Sequence, residues 1–356
     1  MHLVVDALAV RAGSAGIVVE HLLHGWTRLA PADRITVLAD GDLELTPPPG
    51  AAVVQVGSPA GGRLRTAWLR SFAVRREARR LGADAVLSGV PASALVPPGC
   101  PHGLIMYDFR HELRPHQFPR SRRAARRVSW GLAMRNTDHI FCISQRTYDD
   151  LRRLHPGPAR KGVVARLGAD HVDAWPPTER AVPPYALTFG HFSNKNAGAV
   201  LAGWARWCAS NDEMTLRVVG LGKAGRPAVE EELARLGIAD RVELMPWLDD
   251  EAFQRCFAGA GLIVFPSDFE GFGLPAAEAL RLGIPLVVSA DEALAEVTGG
   301  HAAVTASTGA EDLADAMARA LACTPEELAA GQAHIADFTW RATAAAVRDS
   351  LAADGR

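Results

Sequence analysis

The stretch VFPSDFEGFGLPAAEAL, residues 264–280, joins an apolar run, a glycine-rich turn and the start of a helix. Val264 and Phe265 end a run typical of a buried strand, and Pro275 suits the first turn of a helix, where its missing N–H costs nothing. A strand that leads through a turn into a helix is the unit of a parallel α/β sheet. We expect the turn to leave the backbone N–H groups of residues 271–274 free, and the partial positive charge of a helix N-terminus favours phosphate. The stretch therefore predicts an α/β fold with an anion site at this turn.

Two carboxylates flank the predicted anion site, Glu270 before the turn and Glu278 one turn into the helix. A carboxylate beside phosphate is unfavourable unless it accepts hydrogen bonds from hydroxyl groups. We therefore expect Glu270 to bind a sugar and Glu278 to bind a ribose. Taken singly, Glu270 could be a capping acid and Glu278 a solvated helix residue. The two together, enclosing Gly-Phe-Gly-Leu-Pro, favour the binding roles.

Short apolar runs alternate with longer amphipathic segments along almost the whole chain, which predicts parallel sheets covered by helices on both faces. The proline-rich segment 175–184 interrupts the alternation and is interpreted as an interdomain linker. The fold class predicted is α/β with two doubly wound Rossmann-like domains facing across a cleft, residues 1–180 and 181–338. The last helix, 339–353 in the C-terminal segment 339–356, is a candidate to join the first domain. The predicted strands are 2–7, 34–39, 84–88, 103–107, 138–143, 186–190, 215–220, 242–245, 261–266 and 285–289, and the helices of the first domain are 16–29, 63–81 and 120–135.

Composition narrows the class of protein. The chain has 356 residues, 48% of them hydrophobic and 22% charged, so a disordered or collagen-like chain is excluded. No apolar run approaches the roughly 18 residues that span a bilayer, and the N-terminus lacks the features of a signal peptide. The five cysteines are far apart, form no CxxC pair and lie in or near apolar segments, which predicts buried free thiols in a reducing compartment. We expect a cytoplasmic protein.

The near-neutral net charge of −2 conceals two oppositely charged halves. Residues 1–180 hold 25 basic and 16 acidic side chains (25 − 16 = +9), whereas residues 181–356 hold 13 and 24 (13 − 24 = −11). The difference predicts different partners for the two domains. Lysine occurs only at Lys161, Lys195 and Lys223, so a lysine within a motif departs from the preference of this chain for arginine.

A second motif, Gly220-x-Gly222-x-x-Gly225, follows the predicted strand 215–220 and resembles a dinucleotide-binding turn, with Glu243 near the place of a ribose-binding acid. It supports one alternative, an NAD(P)-dependent oxidoreductase. The motif follows the second strand of its domain instead of the first, and Arg226-Pro227 start the helix only after the glycines. Both observations count against a dinucleotide site, and the alternative is a tight strand-to-helix turn facing the cleft.

Residues 270–287 resemble the signature EGFGLPxxEAxxxGxPV of the retaining glycosyltransferases of family 4, which have the two-domain GT-B fold. The segments DHIFCIS at 138–144, GHFSNKN at 190–196 and FTW at 338–340 resemble further segments of that family. The resemblance implies a nucleotide-diphosphate sugar as donor and a saccharide, lipid-linked saccharide or natural product as acceptor. The sequence has no metal-ligand spacing such as HExxH, and we expect neither a metal nor another cofactor. A non-catalytic nucleotide-sugar-binding relative is a further alternative.

By this resemblance Lys195 contacts the donor diphosphate, Glu270 the donor sugar and Glu278 the ribose, and the base lies near Trp247 and Leu248. His191 stands near the place where many members have an arginine. The small-residue loop 11–16 is expected near the donor phosphate and the acceptor. The donor-binding residues expected are Gly13, Gly16, Gly190, His191, Asn194, Lys195, Gly220, Leu248, Gly271, Phe272, Gly273, Leu274 and Glu278.

The first domain departs from the family after its strand 103–107, because Tyr107-Asp108 stands where many members have His-Asp. Asp108, Arg110 or His111 is expected to position the donor sugar or the acceptor; a plain loop histidine is the alternative for His111. The catalytic candidates are therefore Glu270, Lys195, Asp108 and His111.

Seven arginines lie between Arg110 and Arg127, and those at 122, 123, 126 and 127 share one face of the predicted helix 120–135. This basic patch is either a solvated helix face or a contact for an anionic membrane or a phosphorylated acceptor. Nucleic acid is not expected as a partner, because no aromatic residues were found interleaved with the arginines.

Overall fold

The computed structural model describes residues 1–11, 13–41, 45–57, 63–91, 95–190 and 193–353. The chain forms two compact units, one of Met1–Gly168 with Phe338–Arg356 and the other of Ala169–Asp337. Each unit is built on a parallel β-sheet with helices between most of the successive strands.

The sheet of the first unit has seven parallel strands in the order β3-β2-β1-β4-β5-β6-β7. The chain order reverses between β1 and β4, so the sheet is doubly wound. Strands β1, β4 and β5 are buried along their whole length, as expected for apolar strands covered on both faces. The strands are β1 His2–Asp6, β2 Arg34–Ala39, β3 Ala52–Gln55, β4 Ala85–Ser88, β5 His102–Met106, β6 His139–Cys142 and β7 Gly162–Val164, and the helices are α1 Ser14–Leu29, α2 Arg63–Leu81, α3 Arg110–Leu113, α4 Arg120–Asn136 and α5 Gln145–Leu154.

The second unit repeats this architecture with six parallel strands in the order β10-β9-β8-β11-β12-β13. Trp204 and Trp207 stack on each other at 4.8 Å within its core. The strands are β8 Tyr185–Phe189, β9 Thr215–Val219, β10 Val242–Leu244, β11 Leu262–Phe265, β12 Leu286–Val288 and β13 Ala303–Val304, and the helices are α6 Ala197–Cys208, α7 Arg226–Leu236, α8 Asp250–Ala258, α9 Leu274–Arg281, α10 Glu292–Thr298, α11 Ala310–Leu321 and α12 Pro325–Ile335.

The predicted fold class of two doubly wound Rossmann-like domains is confirmed, and every predicted strand is present to within two residues at each end. Three strands were not predicted, namely β3, β7 and β13. All three lie at sheet edges, and none of their residues is fully buried. These three strands lack the continuous buried apolar run that marks the central strands; β10, which also lies at an edge, was predicted from the largely apolar run 242–245.

Helix α13, Trp340–Ala353, packs on α1 of the first unit. The two helices come so close at Gly25 that a Cβ there would lie 2.3 Å from the Trp340 carbonyl oxygen. The proline-rich segment 175–184 has its contacts in the second unit, where Arg180 Nη2 donates to Leu282 O at 2.9 Å and Ala181 N donates to Gly259 O at 3.0 Å. No helix in the described parts of the chain is both long and apolar enough to cross a membrane.

Candidate active site

The glycine-rich turn of the second unit runs from the end of β11 at Phe265 to the start of α9 at Leu274. Gly273 caps the helix with a φ of 97°, and a Cβ there would lie 2.5 Å from Leu294 Cδ2, so both conformation and space require glycine. Within the described residues, the N–H groups of Gly273 and Leu274 have no protein acceptor. They lie at the positive end of α9, where the partial charge favours an anionic ligand.

Lys195 and Glu270 contact each other beside this turn. Lys195 Nζ lies 2.6 Å from Glu270 Oε1, and the two side chains are 10% and 14% exposed. The ammonium group also lies 4.2 Å from the centroid of the Phe265 ring, whose π face attracts a cation. The pairing was not foreseen, because the family resemblance assigns the lysine to a diphosphate and the glutamate to a sugar. It brings one positive and one negative group together at the end of β11.

Asn194 holds the Glu270 side chain in place. Its amide nitrogen Nδ2 is within hydrogen-bond distance of Ser267 Oγ (3.0 Å), Phe269 O (3.0 Å) and Glu270 Oε1 (3.2 Å), and the residue is 3% exposed. Asp268 N donates to Asn194 O at 2.9 Å, which ties the two loops together from the backbone side as well. Asn194 was expected to bind the donor, and here its amide is directed at the protein's own acceptors.

Asp291 supports the same loop from α10, and sequence reasoning missed it. Its Oδ2 accepts from Glu270 N at 3.4 Å, while its Oδ1 accepts from Ala293 N at 3.0 Å and so caps α10. An aspartate directly before the helix-forming run EALAEV is a recognisable N-cap signal that would have found the cap, although not its contact with Glu270.

Glu278 is buried on α9 and paired with a histidine. His171 Nε2 lies 3.1 Å from Glu278 Oε1, and the two residues are 8% and 5% exposed. His171 belongs to the 3₁₀ helix Asp170–Ala174 at the start of the second unit, and no pattern in the sequence singles it out. In the part of the chain that the structure describes, no side-chain or loop donor binds the other carboxylate oxygen. That oxygen is available to a hydroxyl group.

The other donor-binding candidates of the second unit lie at the same edge of its sheet. Gly190 follows β8, Gly220 follows β9 and the half-buried Leu248 follows β10, as the Glu270 turn follows β11. The carboxyl edge of a doubly wound sheet is where ligands bind. Next to Leu248, the side chain of Trp247 is 82% exposed. His191, also predicted to bind the donor, lies outside the described residues.

The geometry around Gly220–Gly225 does not favour the dinucleotide alternative. Gly225 is the N-cap of α7, so the helix begins after the three glycines and not among them. Glu243 is the middle residue of β10, and its Oε2 lies 2.7 Å from Arg217 Nε on β9. A ribose-binding acid belongs at the end of a strand, and this one is paired within the sheet.

In the first unit, Gly13 is the N-cap of α1 and Gly16 lies buried in its first turn. Tyr107 donates its hydroxyl proton to Gly89 O at 2.8 Å, and Asp108 Oδ1 accepts from Arg110 N at 2.8 Å. Burial raises the pKa of Asp108 above its ordinary value, although Arg126 and Arg110 act in the opposite direction. Asp108 is thus a desolvated acid on the loop after β5.

His111 is 1% exposed, and its ring meets the Trp130 ring edge-on at 4.5 Å. Burial and the nearby Arg126 charge lower its pKa to about 4, so the imidazole is neutral at pH 7. Such burial fits the alternative of a loop histidine packed inside the protein. Direct contact with a substrate stays a prediction that this burial does not favour.

The basic patch, residues 110–127, has aromatic side chains in it and beside it that the sequence reasoning overlooked. Arg110 and Arg126 lie over the Phe118 ring at 5.5 and 5.2 Å, and Arg126 also lies over the Trp130 ring at 5.1 Å. Arg120, Arg122 and Arg127 are exposed. Cation–π contacts fix the first two guanidinium groups, while the other three face solvent.

Within the described residues, no group of three or more His, Cys, Asp or Glu side chains is arranged to hold a metal ion. The charged and polar groups that the structure brings to this turn are Lys195, the carboxylates of Glu270 and Glu278 and the backbone N–H groups at the N-terminus of α9.

Residues 183–323 match the family model described as glycosyl transferases group 1. A D-inositol 3-phosphate glycosyltransferase of Rhodococcus jostii is 33% identical over 221 residues, 56% of this chain and 45% of that protein. The chain spans less than half the length of the curated relatives that it matches. Two solved structures resemble it over nearly their whole length: sucrose-phosphate synthase of Thermosynechococcus elongatus (TM-score 0.80, 17% identity, 98% of each chain) and Anabaena HepE in complex with UDP and glucose (TM-score 0.76, 17% identity, 99% of this chain and 100% of that one).

These similarities do not favour the oxidoreductase. The chain has the fold of the GT-B glycosyltransferases, and its second unit carries the segment that matches glycosyl transferases group 1.

Proposed function

We propose that the protein is a retaining glycosyltransferase of family 4 that moves a sugar from a nucleotide-diphosphate sugar to an acceptor. The observation that carries the proposal is the meeting of the α9 N-terminus, Lys195, Glu270 and Glu278 at the carboxyl edge of the second sheet. Such a donor requires a positive site for its phosphates, which the helix N-terminus supplies, and acceptors for its hydroxyl groups, which the carboxylates supply. The proposal agrees with the UDP and glucose in the HepE complex.

Each group has a distinct task in this proposal. The N–H groups of Gly273 and Leu274 and the Lys195 ammonium stabilise the negative charge that develops on the departing nucleotide diphosphate. The Glu270 carboxylate accepts hydrogen bonds from the donor sugar, and the open oxygen of Glu278 accepts from the ribose. Because protein groups neutralise the leaving group, we propose that transfer needs no metal.

Retention of the anomeric configuration follows from the family resemblance. Glu270 is engaged by Lys195 and Asn194, which suits a hydrogen-bond acceptor better than a nucleophile. The proposal therefore includes displacement on one face of the sugar, without a covalent sugar–enzyme intermediate.

We further propose that the acceptor is a saccharide, a lipid-linked saccharide or a small natural product. The name of the Rhodococcus jostii relative, an inositol-phosphate glycosyltransferase, favours a phosphorylated polyol among the small acceptors. Such an anion suits the basic first half of the chain.

A binding screen tests the donor. Thermal unfolding is followed with UDP-, GDP-, ADP- and dTDP-sugars and, in parallel, with NAD and NADP. We expect at least one nucleotide sugar to raise the midpoint temperature of unfolding, because a ligand that binds only the native state stabilises that state. Neither NAD nor NADP should raise it. Stabilisation by NAD or NADP alone would refute the proposal.

Turnover separates an enzyme from a non-catalytic nucleotide-sugar-binding relative. We expect Lys195→Ala and Glu270→Ala each to lower transfer or donor hydrolysis at least a hundredfold, the loss of one strong electrostatic contact in a transition state. Arg206→Ala, at an exposed position of α6, is the matched control and should keep full activity. Near-normal turnover of both site variants would overturn the assignment of the site.

We also propose that the basic patch, residues 110–127, contacts an anionic membrane surface. Arg120, Arg122 and Arg127 are exposed there, and Val128 beside them is 54% exposed. Flotation with phosphatidylcholine vesicles, with and without phosphatidylglycerol, tests this contact. We expect binding only to the anionic vesicles and its loss when the three arginines are replaced by glutamine; equal binding to both vesicles would contradict it.

A further inference from the structure

A polar cavity of about 300 Å³ lies in the first unit, outside the site described above. Its lining comes from the segments that follow three neighbouring strands: Leu8 after β1, Asp40 after β2, and Val56 and Gly57 after β3. Helix α2 closes it with Arg70 and other side chains. The cavity is thus at the carboxyl edge of the first sheet, where doubly wound folds bind their ligands.

Arg70 and Asp40 form the charged wall of this cavity. Arg70 Nη2 lies 2.6 Å from Asp40 Oδ2, and the side chains are only 16% and 6% exposed. A guanidinium group has five N–H donors, and this contact occupies one of them. Arg70 Nε is buried and, within the described residues, has no hydrogen-bond partner. Nε is sealed from the cavity, so a ligand would reach the guanidinium group through the N–H groups of its Nη atoms that Asp40 leaves unused.

The charges and the size indicate the class of ligand. Asp40, Arg70 and Arg76 line the cavity, and Arg76, whose side chain is 70% exposed, also pairs through Nε with Glu77 at 2.9 Å. The guanidinium group of an arginine can donate two parallel hydrogen bonds to phosphate oxygens, and a carboxylate can accept hydrogen bonds from hydroxyl groups. A volume of 300 Å³ is at the small end of ligand pockets, which favours a single polyol or monosaccharide unit over a polymer or a bulky lipid.

We propose that this cavity binds a small polyhydroxylated phosphate ester, with the phosphate on Arg70 and Arg76 and a hydroxyl group on Asp40. Its role as the acceptor subsite rests on the proposed function; the binding itself does not. The competing interpretation is a purely structural ion pair that fastens α2 to the end of β2.

Calorimetric titration of the full chain tests the site without any nucleotide. The probes are glucose 6-phosphate, sorbitol 6-phosphate and inositol 1-phosphate, each compared with its free polyol or sugar and with inorganic phosphate. We expect at least one ester to bind more tightly than both the free polyol or sugar and inorganic phosphate. Arg70→Gln should weaken that ester about 10- to 100-fold, as expected for a charge-assisted contact, and Asp40→Asn less. Arg79→Gln, an exposed position on the same helix, should leave the affinity unchanged.

Arg70→Lys separates a loss of binding from a loss of folding, because it keeps a positive charge opposite Asp40 and removes only the paired N–H groups of the guanidinium. Its free energy of unfolding should match that of the wild type, and it should still bind the ester weakly. Equal affinities of Arg70→Gln and Arg79→Gln would overturn the proposal, as would an inorganic phosphate that binds as tightly as every ester, or no binding at all. Since no donor is present, failure here leaves the nucleotide site of the second unit untouched, and failure of the nucleotide screen leaves this result standing.

Discussion

A single carboxylate, that of Glu278, shows how one residue combines a structural and a binding role. One of its oxygens is engaged by His171, so the side chain keeps one orientation although it is nearly buried. The other oxygen is left for a ligand. Desolvation strengthens the hydrogen bond that this oxygen can make to a hydroxyl group, because the surrounding medium is less polar than water.

We predict that Glu278→Gln removes discrimination between ribose and deoxyribose. The wild type should bind the preferred nucleoside diphosphate about 10- to 100-fold more tightly than its 2′-deoxy or 3′-deoxy analogue, the value of one hydrogen bond to a charged acceptor. In the variant, the ratio should fall towards one for the analogue that lacks the recognised hydroxyl group. Both affinities are measured by competition titration. If the variant keeps the affinity ratio of the wild type, Glu278 does not bind a hydroxyl group of the ribose.

Sequence reasoning found the residues that carry a local signal. Glu270, Glu278 and Gly273 belong to one continuous motif, and Lys195 stands out in a chain that otherwise uses arginine. His171 could not be found in this way, since it lies 107 positions from the glutamate that it contacts. The cavity at Arg70 was missed for the same reason: its walls come from three strand ends and a helix, and none of them alone differs from ordinary loop and helix sequence.

At the scale of elements, the turn between β11 and α9 depends on one glycine. Gly273→Ala would place a side chain in the left-handed region and against Leu294, which is fully buried. We predict a loss of about 2–4 kcal/mol in the free energy of unfolding, from the backbone cost and the overpacking together. Urea denaturation measures it.

Gly222→Ala is the control for that substitution, because nothing lies within 4 Å of its added Cβ. Its free energy of unfolding should change by less than about 1 kcal/mol. If the two variants prove equally stable, the close packing of the turn on α10 is not as described.

The elements themselves were predictable to different degrees. Central strands such as β5 are continuously apolar and buried, and their sequence alone reveals them. The edge strand β3 is largely exposed and gives no such pattern. Its existence depends on hydrogen bonds to β2, a partner that no local window of sequence contains.

At the scale of the whole molecule, the two ends of the chain meet in the first unit. Asp33 accepts hydrogen bonds from the N-terminal ammonium group at 2.9 Å, from Arg348 Nε of α13 at 2.7 Å and from Trp26 of α1 at 3.1 Å. Burial alone would raise the pKa of Asp33, but hydrogen bonds from Arg348, the N-terminus and Trp26 lower it to about 2. One carboxylate thus links α13 to the first unit across 315 positions.

We predict that this link weakens in acid. The folded-state pKa of about 2 lies below the ordinary 3.8, so the stabilisation is fully present above about pH 4 and is lost as the pH falls towards 2. The ionised Asp33 carboxylate contributes about 2 kcal/mol to the free energy of unfolding above that pH. Urea denaturation of the wild type and Asp33→Asn at about pH 6 and pH 3 measures it: the advantage of the wild type should shrink at the lower pH. A constant difference would contradict the assigned contacts.

The alternation of apolar and amphipathic segments was sufficient to predict two doubly wound sheets, whereas the division of the chain depends on long-range packing. Segment 175–184 looks like a linker because it is rich in proline, yet Arg180 and Ala181 bind the second unit. Such contacts join residues that are far apart in the chain, and the composition of the segment does not predict them.

The central claim is that the second unit binds a nucleotide diphosphate through Lys195 and the N-terminus of α9. Calorimetric titration with UDP, GDP, ADP and dTDP, and with the matching nucleosides, tests it most directly. We predict that one diphosphate binds the wild type, that Lys195→Ala weakens it about 10- to 100-fold without changing nucleoside binding, and that Arg206→Ala has no effect. Unchanged diphosphate affinity in Lys195→Ala, or an equal loss for diphosphate and nucleoside, would contradict the account.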